Sequence, residues 1–382
     1  MNLAHVVVGR NLRNVMADKI LFTRFPLESR FGGAEVQTLS LMKGLGDRGY
    51  EVKFIGSCPT LLEAFREPRS AIRVKKLEIG PPPVTKWGAI SFLWRKRNMK
   101  KRLIEELRKC FDSAQHDTTI FMLSLSEKLL LTDWCVQNNI KVIWVEHDKI
   151  GRWLRWNPWL PKLRKLSRLA TTVTVSDLSR DIYLDMGWRE EDVVSIPNGI
   201  ETADCGPRSA IRKIDHSCFR IGCISRLTYD KGIDVLIKAV KDLPNVKLEI
   251  VGDGPEEDNL KAISNGVKFV ESVPNIKEFY DRIDCLVLPS RENDPFGLVV
   301  AEAMMRGIPT ICTDACGISR HISEDDSIVT PANNTEALKN GISEIQKEEM
   351  WEKLSINGER TARERFSIER MIDRYENILE KN

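Results

Sequence analysis

Two carboxylates and two cations, each pair beside an apparent strand end, are the residues of this 382-residue chain whose spacing suggests chemistry. Asp294 and Glu302 stand eight positions apart in Leu288–Ile311, LPSRENDPFGLVVAEAMMRGIPTI. The apolar run Leu286–Pro289 reads as a strand end and the polar loop behind it carries Asp294. Pro295-Phe296-Gly297 then leads into a helix that carries Glu302 and closes at Gly307 and Pro309. A helix start presents unpaired N–H groups and a positive dipole end, which suits a phosphate or a sugar hydroxyl. A carboxylate on its first turns can accept hydrogen bonds from a pair of ribose hydroxyls. Arg226 and Lys231 lie in Gly222–Gly232, GCISRLTYDKG, and leave a second strand end together. A diphosphate needs two such charges: Arg grips two oxygens at once, and Lys acts as a point charge. The plainer alternative is a solvated surface pair. Residues of these kinds in this order suit a sugar nucleotide.

Three further features sit at strand ends. His147, in Glu146-His147-Asp148, follows the apolar run Lys141–Val145. Ligands of open α/β sheets bind at such carboxyl ends, although a satisfied structural histidine is the alternative. Gly32-Gly33-Ala34-Glu35 opens an amphipathic helix with Leu39, Met42 and Leu45 inward. Glycines there let a ligand approach the backbone, or simply make a turn. Val251–Pro255, VGDGP, carries the same two readings.

The elements that must position these residues alternate. Short apolar strands are expected at 18–23, 51–55, 72–79, 119–123, 141–145, 171–175 and 193–196, and again at 219–224, 246–251, 267–270, 285–288, 310–312 and 327–329. Helices separate them, among them a basic one at 92–109, and a helical stretch at 349–381 ends the chain. Such alternation is the pattern of parallel sheets covered on both faces. The expected organisation is α/β, with two doubly wound Rossmann-like parallel-sheet domains facing across a cleft, the natural place for a site. The expected boundaries are an unpacked extension at 1–17, possessing a start-like Met16-Ala17, an N-terminal domain at 18–201 and a linker at 202–217. A C-terminal domain at 218–348 and closing helices at 349–382 follow.

Composition sets limits. The chain exceeds one ordinary core, and 42% hydrophobic with 30% charged residues is globular usage. A net charge of +3 does not call for nucleic acid. None of the nine cysteines forms Cys-x-x-Cys, so structural zinc is not expected, and Cys223, Cys285 and Cys312 read as small core residues in a reducing cytosol. No apolar run approaches the ~20 residues of a membrane span.

The chain resembles the GT-B glycosyltransferases of family 4, the retaining group 1 type. The matching residues are Gly32-Gly33-Ala34-Glu35, Arg48–Val52, His147, Ile196–Ile200, Gly222–Gly232, Val251–Pro255 and Pro289–Pro309, in the family's order. The resemblance implies that Arg226 and Lys231 bind the donor's diphosphate and Glu302 its ribose. Asp294, Phe296 and Gly297 would face the transferred sugar, partly through backbone N–H groups, and Leu298 would belong to the donor site with them. Gly33 would lie against the phosphates from the other domain and His147 near the anomeric carbon, and the last helix would cross back to the N-terminal domain. The family places Glu where this chain has Asp294, so the carboxylate is set back by one methylene, about 1.5 Å, with Glu292 as the alternative. Implied besides are a nucleotide-diphosphate sugar as co-substrate, no cofactor and no required metal, and a glycan, lipid-linked or small-molecule acceptor. The rivals are a catalytically silent binder and a same-fold epimerase or hydrolase.

Residues 149–168 hold seven basic side chains, no acidic one, and Trp153, Trp156 and Trp159. With the basic helix at 92–109, they read either as a surface for an anionic bilayer on the cytoplasmic side, or as core tryptophans beneath a solvated cationic face.

Overall fold

The computed structural model describes residues 18–26, 32–65, 72–110, 118–147, 152–202 and 217–380. The extension expected at 1–17, Asp148 and nearly all of the expected linker lie outside the described residues.

Among the described residues, thirteen strands form two parallel sheets. In chain order the first seven are β1 (Lys19–Arg24), β2 (Glu51–Gly56), β3 (Arg73–Lys76), β4 (Thr118–Met122), β5 (Lys141–Glu146), β6 (Thr171–Thr174) and β7 (Val193–Ser195). The rest are β8 (Phe219–Ile224), β9 (Val246–Val251), β10 (Lys268–Val270), β11 (Cys285–Leu288), β12 (Thr310–Thr313) and β13 (Ile328–Thr330). The orders are β3-β2-β1-β4-β5-β6-β7 and β10-β9-β8-β11-β12-β13. Each sheet therefore reverses direction beside its first strand, between β1 and β4 and between β8 and β11. Crevices at the carboxyl ends of such switch points hold ligands. The central strands are buried along their whole length, as in Thr118–Met122 and Cys285–Leu288, because helices cover both faces. Cys223, Cys285 and Cys312 are buried in these strands as expected.

The helices are α1 (Gly33–Asp47), α2 (Pro59–Ala64), α3 (Lys86–Cys110), α4 (Leu125–Gln137), α5 (Leu160–Ser167), α6 (Asp177–Asp185) and α7 (Ile233–Val240). They continue as α8 (Glu257–Ile263), α9 (Ile276–Arg282), α10 (Leu298–Met305), α11 (Thr335–Ile345), α12 (Glu348–Arg365) and α13 (Ile368–Glu380). Local chemistry fixes several starts. Ser124 and Glu127 form a reciprocal capping box on α4, and the Ser176 hydroxyl accepts the Ser179 N–H on α6.

The closing stretch is two helices, α12 and α13. Helix α12 stays on the C-terminal sheet, with Trp351 and Leu354 in its core. The chain then pairs Ile200 with Ser367, and α13 crosses to the N-terminal domain. There Ile368, Met371, Ile372 and Tyr375 join the core of Phe22, Leu41, Leu45 and Phe121. Arg48 anchors α13 through Asp373 at 2.8 Å and Glu376 at 2.6 Å, and Lys141 donates to the Ile378 carbonyl at 2.7 Å.

Two other expectations shift. The basic helix begins at Lys86, six residues early, because Ala89 adds a buried turn whose carbonyl accepts from Trp159 Nε1. In the tryptophan-rich segment, to which the sequence assigned no element, a 3₁₀ turn at Arg152–Trp156 leads into α5, whose Leu160, Leu163 and Leu166 are buried. Trp159 joins the core while Trp156 is 89% exposed, so neither reading of the tryptophans holds for both.

Candidate active site

The carboxyl ends of β1, β4 and β5 meet those of β8 and β11 across a cavity of about 930 Å³. Gly33, His147, Arg226, Lys231, Asp294, Phe296, Gly297 and Leu298 all line it, whereas Glu302 does not.

The C-terminal half begins where β8 ends. Leu227 N–H donates to the Asp253 carbonyl at 2.7 Å, and Ser225 N–H to that of Val251 at 3.0 Å. Gly252 and Gly254 have φ of 142° and 155°, and a Cβ on them would fall 2.0 Å from the Ser225 oxygen and 2.4 Å from that of Leu227. These glycines therefore let two backbone loops touch, which aims Arg226, and the turn reading of VGDGP is the one realised. Lys231 closes a 3₁₀ turn, Tyr229–Lys231, ended by Gly232 at φ 64°. A Cβ on Gly232 would lie 2.2 Å from the Pro289 oxygen, so the loops after β8 and β11 are pressed together.

That contact joins the cation to the carboxylate. Lys231 Nζ donates to Asp294 Oδ2 at 2.5 Å, with both side chains largely buried. Burial pulls the Lys231 pKa down, the Asp294 charge and hydrogen bond push it up, and the balance leaves it raised. Asp294 is pinned by its backbone: its N–H donates to the Ala315 carbonyl at 2.9 Å, and its carbonyl accepts the Gly317 N–H at 2.9 Å. Ser290 Oγ and the Phe296 N–H also reach its carboxylate, at 3.4 and 3.3 Å. Glu292, the alternative carboxylate, is not among the residues that line the cavity.

Gly297, at φ 95°, turns the chain into α10, and Leu298 and Val299 line the cavity, so the helix's N-terminal N–H end opens onto it. The Phe296 ring is 2% exposed and packs edge-on against Phe366 at 5.6 Å, and the residue also lines the cavity. Glu302 lies a turn beyond Leu298, where Tyr280 donates its hydroxyl to Oε2 at 2.7 Å. Burial raises the Glu302 pKa, the Tyr280 hydrogen bond and the Arg306 charge oppose it, and the net is upward. Tyr280 is a residue sequence reasoning missed, since nothing in the order of residues joins β11's helix to α9.

The N-terminal half approaches closely. A Cβ on Gly33 would lie 2.5 Å from Leu298 Cδ1, so glycine sets how near the two domains come. Because the clash is with the end of a flexible side chain, Gly33→Ala is expected to change stability by no more than ~0.5 kcal/mol. It should nevertheless displace Leu298 and weaken nucleoside diphosphate binding, read by calorimetry beside thermal unfolding. His147 follows β5 directly and borders the same space.

The same space is bordered by charge pairs that the sequence did not predict. Arg24 pairs with Glu35, and Lys128 with Glu146, each at 2.7 Å. All four line the cavity. Glu127, fully buried in its capping box, is pushed up to about 8 by burial. Arg24 was findable as the last residue of a strand, and Glu127 from Ser-x-x-Glu. The pairings are tertiary and left no local signal.

With this geometry, two family descriptions match in the order of the two sheets. "Glycosyltransferase Family 4" covers residues 31–204 and "Glycosyl transferases group 1" covers 209–364. The chain belongs to the group 1, family 4 glycosyltransferases. An uncharacterized glycosyltransferase of Haemophilus influenzae is 25% identical over 371 residues, 91% of this chain and 96% of that one. The lipopolysaccharide core glycosyltransferase LpsD of Rhizobium meliloti is 28% identical over 206 residues, 52% of this chain and 60% of its own. Against an exopolysaccharide phosphotransferase of Streptomyces coelicolor, 32% identical over 138 residues, this glycosyltransferase spans 32% of its own length and 14% of that chain. The structure of Anabaena HepE with UDP and glucose superposes with a TM-score of 0.74 at 20% identity, covering 95% and 99% of the two chains. The shared architecture is GT-B.

Proposed function

We propose that this glycosyltransferase moves a hexose from a nucleotide-diphosphate sugar to an acceptor hydroxyl, with retention of configuration and without a required metal. The observation that carries the reading is the single cavity in which Arg226 and Lys231 of one domain oppose Gly33 and His147 of the other. In this reading residues 218–348 hold the donor and 18–201 the acceptor, which is a glycan, a lipid-linked sugar or a small molecule. Lys231 and Arg226 take the diphosphate and stabilise its growing charge as the sugar departs. The first N–H groups of α10 and the Asp294 carboxylate face the sugar, and Glu302 accepts from the ribose hydroxyls once the donor draws α10 and Tyr280 around it. No side chain attacks the sugar: the leaving phosphate oxygen takes the acceptor's proton on the same face, while His147 hydrogen-bonds the sugar. HepE, whose structure holds UDP and glucose, supports a nucleotide-sugar donor, and LpsD, named for lipopolysaccharide core synthesis, supports a role in envelope polysaccharide or glycoconjugate assembly. A cytoplasmic seat at the membrane's inner face goes with it. Among the described residues no helix is long and apolar enough to cross a membrane.

A panel of labelled nucleotide sugars tests this reading. Transfer to an added acceptor with unchanged anomeric configuration is expected. Free sugar would mean a hydrolase, altered donor an epimerase, and binding without turnover a silent protein.

A further inference from the structure

Helix α3 carries two apolar stripes. Ala89, Phe92, Met99, Leu103 and Leu107 recur at helical spacing and are buried in the N-terminal core. Trp87, Ile90 and Trp94 recur at the same spacing on another face, yet Trp87 is 78% and Trp94 85% exposed. The outward stripe continues into Arg97 and Lys101, both exposed, and no acidic residue occurs in α3 before Glu105. A surface helix needs one apolar stripe for its core; a second, bordered by cations, marks an interaction face.

The turn at Arg152–Trp156 extends that face. Trp159 Nε1 donates to the Ala89 carbonyl at 3.3 Å and Asn157 Nδ2 to that of Pro83 at 2.9 Å, which fixes the turn against the start of α3. Exposed Arg155 and Trp156 are thereby brought beside its first turns. The same two segments reach the cleft. Val84, two residues before α3, and Leu154, two before Trp156, line the cavity, and behind them Leu163, Tyr183 and Trp188 give it an apolar wall. Trp188 Nε1 in this wall is buried and has no hydrogen-bond partner among the described residues.

We propose that the acceptor is lipid-linked and is taken from an anionic bilayer on which the outward stripe of α3 and the Arg152–Trp156 turn rest. The lipid's apolar part passes Val84 and Leu154, and its head group reaches the reacting end of the cleft. The proposal rests on the transferase reading above and names its acceptor class. Indole rings settle at the headgroup level of a bilayer, and lysine and arginine beside them favour anionic lipid. A neutral apolar partner would leave that cationic border unmatched.

The test is co-sedimentation with phosphatidylcholine vesicles, with and without phosphatidylglycerol. Calorimetry with nucleoside diphosphates and sedimentation velocity without lipid run in parallel. Binding to the anionic vesicles alone, weakening as salt rises, is expected. The variant W87S/W94S/W156S should lose about tenfold or more of that binding while nucleoside diphosphate binding and the unfolding midpoint stay unchanged. Absence of vesicle binding with nucleotide binding intact would overturn the proposal and leave the transferase reading standing. So would a lipid-free dimer that the triple variant dissociates, since the stripe would then be a subunit interface. Vesicle binding without any nucleoside diphosphate binding would strike the transferase reading, and with it the acceptor assignment.

Discussion

Arg226→Ala is expected to lower turnover by about a hundred- to a thousandfold at unchanged stability, the usual cost of removing one charge-stabilising donor. Lys231→Ala should lose a comparable factor and about 3 kcal/mol of stability besides. Both cations line the cavity, but their surroundings differ. Arg226 is exposed, and among the described residues its guanidinium has no ion-pair partner, so the fold does not depend on it. Its backbone is held by the Val251–Glu256 turn whatever the side chain. Lys231 is largely buried on Asp294, and its loss strands a carboxylate that the pinned loop after β11 cannot swing into water. Initial rates at saturating donor, set beside urea unfolding, separate the two cases. Wild-type turnover in Arg226→Ala would sink the diphosphate assignment. Wild-type stability in Lys231→Ala would mean that the ion pair contributes nothing to the fold.

That difference was invisible in the sequence, and the reason is physical. Hydrophobic periodicity is local, so the strands that end at Ile224 and Leu288 could be placed to the residue from apolar runs and flanking polar turns. Their parallel pairing followed from the alternation with helices, and the site's position followed from the rule that ligands sit at carboxyl ends. Which loop presses on which is a property of packing. The Lys231–Asp294 contact depends on Gly232 lying under Pro289, 57 positions away in sequence. The same holds for Tyr280 on Glu302 and for Lys128 on Glu146.

Where local pattern and packing disagreed, packing won. Phe296 sits in the most informative motif, and its ring packs edge-on against Phe366 where α12 ends. Trp159 and Trp156 share one cationic segment, and tertiary contacts with Phe92 and the Ala89 carbonyl make the first of them core. The glycines of VGDGP were ambiguous for the same reason. A positive φ is legible as a demand for glycine, but whether the close neighbour is a ligand or Ser225's own backbone is not.

Asp294→Asn is expected to reduce turnover by about a hundredfold and to move its alkaline limit to lower pH. In the native protein, burial alone would depress the Lys231 pKa; the Asp294 charge and hydrogen bond reverse that and leave it raised. Lysine must be protonated to hold a diphosphate, so activity persists until pH rises through this raised value. The ion pair's contribution to stability is lost over that same alkaline range. The amide keeps the shape of the carboxylate and removes its charge. Burial then dominates, Lys231 releases its proton below the ordinary lysine range, and the alkaline limb shifts down with it. Asp294→Glu is the control. The Asp294 backbone is fixed by Ala315 and Gly317, so the added methylene drives the carboxylate about 1.5 Å further into the cleft. The charge beside Lys231 remains, so the rate changes while the alkaline limb stays where the native protein has it. A pH–rate profile of the three proteins reads both effects. If the glutamate variant shifts as far as the asparagine variant, charge is not what keeps Lys231 protonated, and the role given to Asp294 falls.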